Sequence, residues 1–223
     1  MNANAKFFIE LFTYCMPLLL ITGSIIGLSR FSALNGVYRL LLGYLAMALV
    51  IDVLSRIFGI VLHNNLLFIP LFGFLELVFF TWLYFRYFLP SQSRLLLIVP
   101  VVALGFIAWE FYQAEWIHPL SFNAYSRVVD PVAVVFLCML HFREIGNTVP
   151  LPVERMRINS AILLFFSLSI VFFLPVNFLI NVPSQLKFYF WLANLILTMT
   201  FYTFLIFEIW KNGKTRPSLV PGS

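Results

Sequence analysis

Residues 66–89 read LLFIPLFGFLELVFFTWLYFRYFL, with one acid, Glu76, near the middle and one base, Arg86, near the end. Wound as a helix at ~1.5 Å per residue, this stretch is about 36 Å long, enough to cross the ~30 Å hydrocarbon core of a bilayer. Its apolar residues follow one another without alternation, which fits a membrane helix and not a barrel strand.

The rest of the chain repeats the pattern. Its 223 residues are 62% hydrophobic and 10% charged, against roughly 45–50% and about 25% in soluble domains. A soluble domain of this size leaves too much surface in water to hide that apolar content. Soluble enzymes, nucleic-acid binders and disordered segments are therefore excluded. The expected fold class is all-α: a polytopic integral membrane protein with seven transmembrane helices, near 8–29, 38–62, 66–89, 94–113, 126–145, 158–180 and 186–210. Short breaks such as His63-Asn64-Asn65 make sequential helices antiparallel neighbours. The first run is too long for a cleaved leader, and only Lys6 precedes it as a base. The expected organisation is one transmembrane domain over 1–216 and a tail, 217–223, part of which resembles an appended protease-site linker.

Lys and Arg set the orientation. Ten of the fourteen fall on one side of the seven spans and four on the other. The N-terminus is expected outside and the C-terminus in the cytoplasm, with the protein integral to the cytoplasmic (inner) membrane. Trp82, Tyr84, Tyr87 and Trp210 are expected in an inner aromatic belt, and Trp109, Tyr112 and Trp116 in an outer one.

Ionisable groups at membrane depth are costly, and they normally face the bundle interior or water. Asp52, Arg56, Glu76, Glu110, Arg127 and Asp130 all fall in the outer half of their spans. Arg127, Asp130, Val134, Cys138 and His141 lie on one helical stripe, as do Asp52, Ser55, Arg56, Gly59 and His63. The functional expectation is an outward-facing polar pocket binding a small ligand through Asp52, Arg56, Glu76, Glu110, Arg127, Asp130, Asn177, Asn194 and Tyr202. The alternative is that these groups neutralise one another and knit the bundle together. Glu76, buried in leucine and phenylalanine, is the central candidate. It is expected to meet Arg56 or Arg127 from another helix, to accept a hydrogen bond from Asn194, Tyr44 or Tyr202, or to hold a proton.

Other signals are weaker. Sliding the third helix onto the seventh places Glu76 over Asn194 and Tyr84 over Tyr202, which suggests a three-plus-one-plus-three arrangement of repeats. Cys15 and Cys138 sit in apolar runs and read as small hydrophobes. The three histidines share no level, so no metal or cofactor is expected. Gly23 and Gly27 stand at the spacing that lets helices approach closely, either within the bundle or against a second copy. A monomer or weak dimer is expected. No phosphate-binding loop and no nucleophile or metalloprotease motif is present, so no catalytic residue is assigned. The set Asp52, His63-Asn64-Asn65, Glu76 and Tyr84 resembles small seven-helix membrane proteins found in bacteria, most clearly over the second and third helices. That resemblance implies no particular activity.

Three functions fit these features. The first is a receptor-like or sensor module for a small extracytoplasmic ligand, acting through a membrane signalling partner. The second is a small-solute transporter, proton-coupled through Glu76. The third is an intramembrane enzyme acting on lipid. A second polar cluster on the cytoplasmic half would favour transport, and a groove opening sideways into lipid would favour the enzyme.

Overall fold

In the computed structural model, described over residues 3–89, 97–113, 125–146, 153–179 and 186–215, the chain is all-helical. Seven α helices are formed among the described residues: α1 Ala3–Ser29, α2 Gly36–Val61, α3 Phe68–Leu83, α4 Ile98–Gln113, α5 Ser126–Ile145, α6 Val153–Leu179 and α7 Leu186–Thr215. A π-helical turn, Tyr84–Phe88, continues α3. Four of these segments are long and apolar enough to cross a membrane: Gly36–Val61, Phe68–Phe88, Val153–Val176 and Phe188–Lys214. Tyr14–Ser29 and Ile98–Gln113 are apolar but shorter. α5, 20 residues long, carries Arg127, Asp130, Arg143 and Glu144 and is not among those four. Large apolar side chains face outward in number, among them Val102, Leu164 and Val171. A soluble monomer does not expose such a surface, whereas lipid covers it.

Polar side chains punctuate the helices. The Asn35 side-chain oxygen accepts the N–H groups of Val37 and Tyr38 at 3.1 and 3.3 Å, capping the start of α2. In the break after α2, Asn64 accepts the Leu66 N–H at 3.0 Å, and the Asn65 amide donates to the Ser55 hydroxyl at 3.2 Å. His63, at φ 54°, takes the left-handed turn that reverses the chain there. The motif His63-Asn64-Asn65 thus builds a turn.

The chain divides into two compact units, one from Met1–Leu54 and Thr198–Ser223, the other from Ser55–Leu197. The divisions fall inside α2 and α7, so the expected three-plus-one-plus-three arrangement receives no support. In the first unit, Tyr44 is fully buried between Phe201 and Tyr202, with ring centroids 6.3 and 6.0 Å away. Gly23 and Gly27 let α1 approach its neighbours within this unit. A methyl group added at Gly23 would lie 2.5 Å from Ile206, and one at Gly27 would overlap Leu42.

The second unit is centred on α5, which packs against α3, α4 and α6. Contacts between α3 and α5 advance together along both helices, from Glu76 with Arg127 to Tyr84 with Cys138 and Phe88 with His141, so these two helices run parallel. α6 runs against them, since Phe80 meets Phe166 and Tyr84 meets Asn159. Leu77, Phe80, Val134, Leu137, Ile162 and Phe166 form the apolar layer at mid-height, none more than 1% exposed. One expectation is corrected here. Tyr84 does not belong to an interfacial belt but is fully buried in this core, whereas Trp82, Trp109 and Tyr112 are exposed.

Candidate functional site

The second unit holds two polar stations along α3 and α5, one on either side of the apolar layer. The first lies near the start of α5. Glu76, 1% exposed, accepts a hydrogen bond from Arg127 at 3.0 Å. Asp130, one turn beyond Arg127, is wholly buried and lies 3.7 Å from the same guanidinium nitrogen. The guanidinium is flanked by two rings, with Phe72 and Phe173 centred 5.3 and 5.1 Å away. Such stacking suits a planar, weakly hydrated cation held away from water. Gly73 brings the α3 backbone close, since a methyl group there would lie 3.7 Å from the Asp130 carboxylate.

The three groups carry a net charge of −1 when both acids are ionised. Arg127 satisfies Glu76 directly, but among the described residues no N–H or O–H donor reaches either carboxylate oxygen of Asp130, whose carboxyl group instead faces that of Glu76. Buried carboxylates are normally paired and hydrogen-bonded. Two carboxyl groups in contact can hydrogen-bond only through a proton held between them, so Asp130 and Glu76 together form a buried acid pair beside one arginine. Chemically, the station is suited to take up a proton or a small cation between two acids and an arginine.

The second station lies eight residues further along both helices, about 12 Å away at the helical rise. The Tyr84 hydroxyl donates to the Asn159 side-chain oxygen on α6 and lies 2.9 Å from Cys138 Sγ. Since the single hydroxyl proton goes to Asn159, the Cys138 thiol is the donor to Tyr84. The Asn159 amide in turn donates to the Cys138 carbonyl at 3.3 Å. Below it, His141 Nδ1 donates to the Phe88 carbonyl at 2.8 Å, and the two rings meet edge to face at 4.7 Å. His141 Nε2 is buried without a partner among the described residues. The Phe88 carbonyl belongs to the π-helical turn, a local geometry that recurs at functional sites.

The structure thus brings together three of the nine expected ligand-binding residues, Glu76, Arg127 and Asp130. Glu110 has a different task. It is half-buried on α4 and accepts the N–H groups of Tyr125 and Ser126 at 2.9 and 2.7 Å, capping the start of α5. Arg56 and Asn194 are half-buried in the same unit. Asp52 and Tyr202 belong to the other unit, where Tyr202 packs against Tyr44. The Asn177 side chain lies outside the described residues. Sequence reasoning missed Asn159 and the role of Tyr84, because a lone amide and a lone tyrosine in apolar runs give no local signal. It also passed over Glu208, which is buried in the first unit with Tyr38 3.5 Å from its carboxylate. Among the described residues no three side chains of metal-ligating type converge. No family model matches the sequence, and no curated protein or solved structure is significantly similar to it.

Proposed function

We propose that this is a seven-span protein of the cytoplasmic membrane, N-terminus outside and C-terminus in the cytoplasm, that carries a small polar solute coupled to a proton held by Asp130 and Glu76. The observation that carries the reading is Asp130, wholly buried beside Arg127 and against the Glu76 carboxyl, with no N–H or O–H donor of its own among the described residues. A bundle that needed only neutrality would pair one acid with one arginine; the second acid is surplus to stability and suited to proton exchange. The second polar station across the apolar layer favours a carrier over a sensor, because a carrier needs polar groups on both sides of a closed barrier. The ten-to-four distribution of Lys and Arg supports the orientation.

Two measurements test this. Dicyclohexylcarbodiimide reacts with protonated carboxyls in apolar surroundings, so mass spectrometry of the treated protein should find the adduct on Asp130 or Glu76. Absence of adduct at both acids would remove the proton from the reading. Vesicles containing the full chain and a trapped pH dye should show proton entry stimulated by at least one solute from a panel of amines, amino acids and carboxylates. Asp130→Asn should abolish the stimulation. A solute that raises the melting temperature but moves no protons would turn the reading to a sensor using the same site.

A further inference from the structure

One end of the first unit gathers cations that no acid neutralises. Arg30 closes α1; its guanidinium donates to the Trp210 carbonyl at 3.2 Å and lies 5.8 Å from the Trp210 ring. Lys214 Nζ sits 3.7 Å from the centre of the same ring. Arg39, in the first turns of α2, lies over Phe31 at 4.9 Å and donates to the Ser32 carbonyl at 3.3 Å. The Asn35 N–H donates to the Asn212 side chain at 3.2 Å, which ties the α1–α2 turn to the end of α7 and holds these groups in one neighbourhood. Among the described residues, none of the three cations has a carboxylate partner. Glu208, the acid of this region, is buried beside Tyr38. Aromatic faces and backbone carbonyls therefore hold like charges together with no counter-charge, an arrangement that attracts an anion.

A stripe of exposed apolar residues leads away from this cluster. Leu18, Ile21, Ile25 and Leu28 recur at intervals of three and four along α1, and all face outward. Phe31, also exposed, joins the stripe to the cations. A soluble anion would use the cluster alone, whereas a lipid would use both. We propose that this end of the unit binds the phosphodiester headgroup of an anionic membrane lipid, with an acyl chain along the Leu18–Leu28 stripe. The site is independent of the solute chemistry in the second unit.

The test is thermal melting of the purified full chain in mild detergent, with phosphatidylglycerol or phosphatidylcholine added. Phosphatidylglycerol should raise the midpoint by several degrees over phosphatidylcholine. Arg39→Gln combined with Lys214→Gln should lose at least half of that rise. Both side chains are exposed, so the double variant should melt like the parent in phosphatidylcholine. If it does not, each single variant, read against its own phosphatidylcholine midpoint, should still lose part of the rise. Arg86→Gln, an exposed cation of the other unit, should keep it in full. The proposal is overturned if the parent shows no lipid-dependent rise, if the Arg39 and Lys214 variants keep it, if Arg86→Gln loses as much, or if millimolar inorganic phosphate reproduces it.

Discussion

Two buried polar stations share the same pair of parallel helices, yet they are built on opposite terms. Around Tyr84, Cys138 and Asn159 each donor meets an acceptor, and the network is neutral. Around Arg127 one cation faces two acids in contact with each other, and among the described residues no N–H or O–H donor reaches Asp130. A closed neutral network fixes helix register and keeps a core unique. A cluster that buries a second acid beside one arginine costs stability, and its retention calls for a reason beyond packing. The comparison separates a neutral station, closed by hydrogen bonds except at His141 Nε2, from one that keeps two acids beside a single arginine.

The sharpest way to break this contrast is to remove the cation. Arg127→Met leaves two buried acids without their shared guanidinium and should cost about 3–5 kcal/mol. Adding Glu76→Gln and Asp130→Asn should recover most of the loss, since the uncompensated charge then disappears. Denaturant titration of the purified protein in mixed micelles measures both. Equal stability of Arg127→Met and the parent would mean that the charged station is not buried as described. At the neutral station the expected effects are smaller. Tyr84→Phe or Asn159→Ala strands one or two buried partners and should cost about 1–3 kcal/mol each. Neither change is expected to abolish solute-stimulated proton entry, whereas Asp130→Asn is.

How far the sequence revealed these sites follows from the physics of each. Seven helical segments were legible as apolar runs between polar breaks such as His63–Asn65, and four of them have the length and apolarity that bilayer thickness demands. The α5 stripe Arg127, Asp130, Cys138, His141 was legible because charges in an apolar run are rare and helical spacing assigns them a face. That Arg127 reaches Glu76 was one of several open choices, beside Arg56, a hydrogen bond from Asn194, Tyr44 or Tyr202, and a held proton, since spacing within a helix says nothing about which neighbour lies across from it. Asn159 was invisible as a site residue, because its role depends on α6 crossing α5 at Cys138, a tertiary fact. The π-helical turn at Tyr84–Phe88 left no mark either, since its YFRYF sequence is compatible with an ordinary helix.

Glu110 sharpens the contrast from outside both stations. Its carboxylate caps α5 through two backbone N–H groups, so it positions Arg127 and Asp130 without touching them. Glu110→Ala should cost about 0.5–2 kcal/mol, the usual value of a lost helix cap, and should raise the solute concentration needed for half-maximal flux. An unchanged flux profile with lowered stability would confine Glu110 to the fold. Glu76→Gln should cost less than about 1 kcal/mol, because Gln keeps the volume and can still accept from Arg127 while Asp130 remains as counter-charge. Its effect should instead be seen in function, as slower solute-stimulated proton entry. Parent-like flux would leave Asp130 alone as the coupling acid.

The smallest expected effect belongs to Cys138, and it tests whether the neutral station is as closed as its geometry implies. Cys138 Sγ is 2.9 Å from the Tyr84 hydroxyl oxygen, and the thiol acts as donor because the tyrosine proton is already committed to Asn159. A thiol is a weak donor, and the tyrosine oxygen that loses it keeps its own strong bond to Asn159. Cys138→Ala therefore removes one weak hydrogen bond and one sulfur atom's volume, and should cost less than about 1.5 kcal/mol. The same change made in a Tyr84→Phe background should cost less still, because the hydrogen bond is already gone. The difference between the two, read as a double-mutant cycle, is the energy of the thiol–hydroxyl contact itself and should be positive and well under about 1 kcal/mol. A cycle energy near zero would mean that the thiol only fills space and that the network ends at Tyr84 and Asn159. A large value would mean that Cys138 anchors the station, and the line drawn between structural and functional polar groups would then have to move.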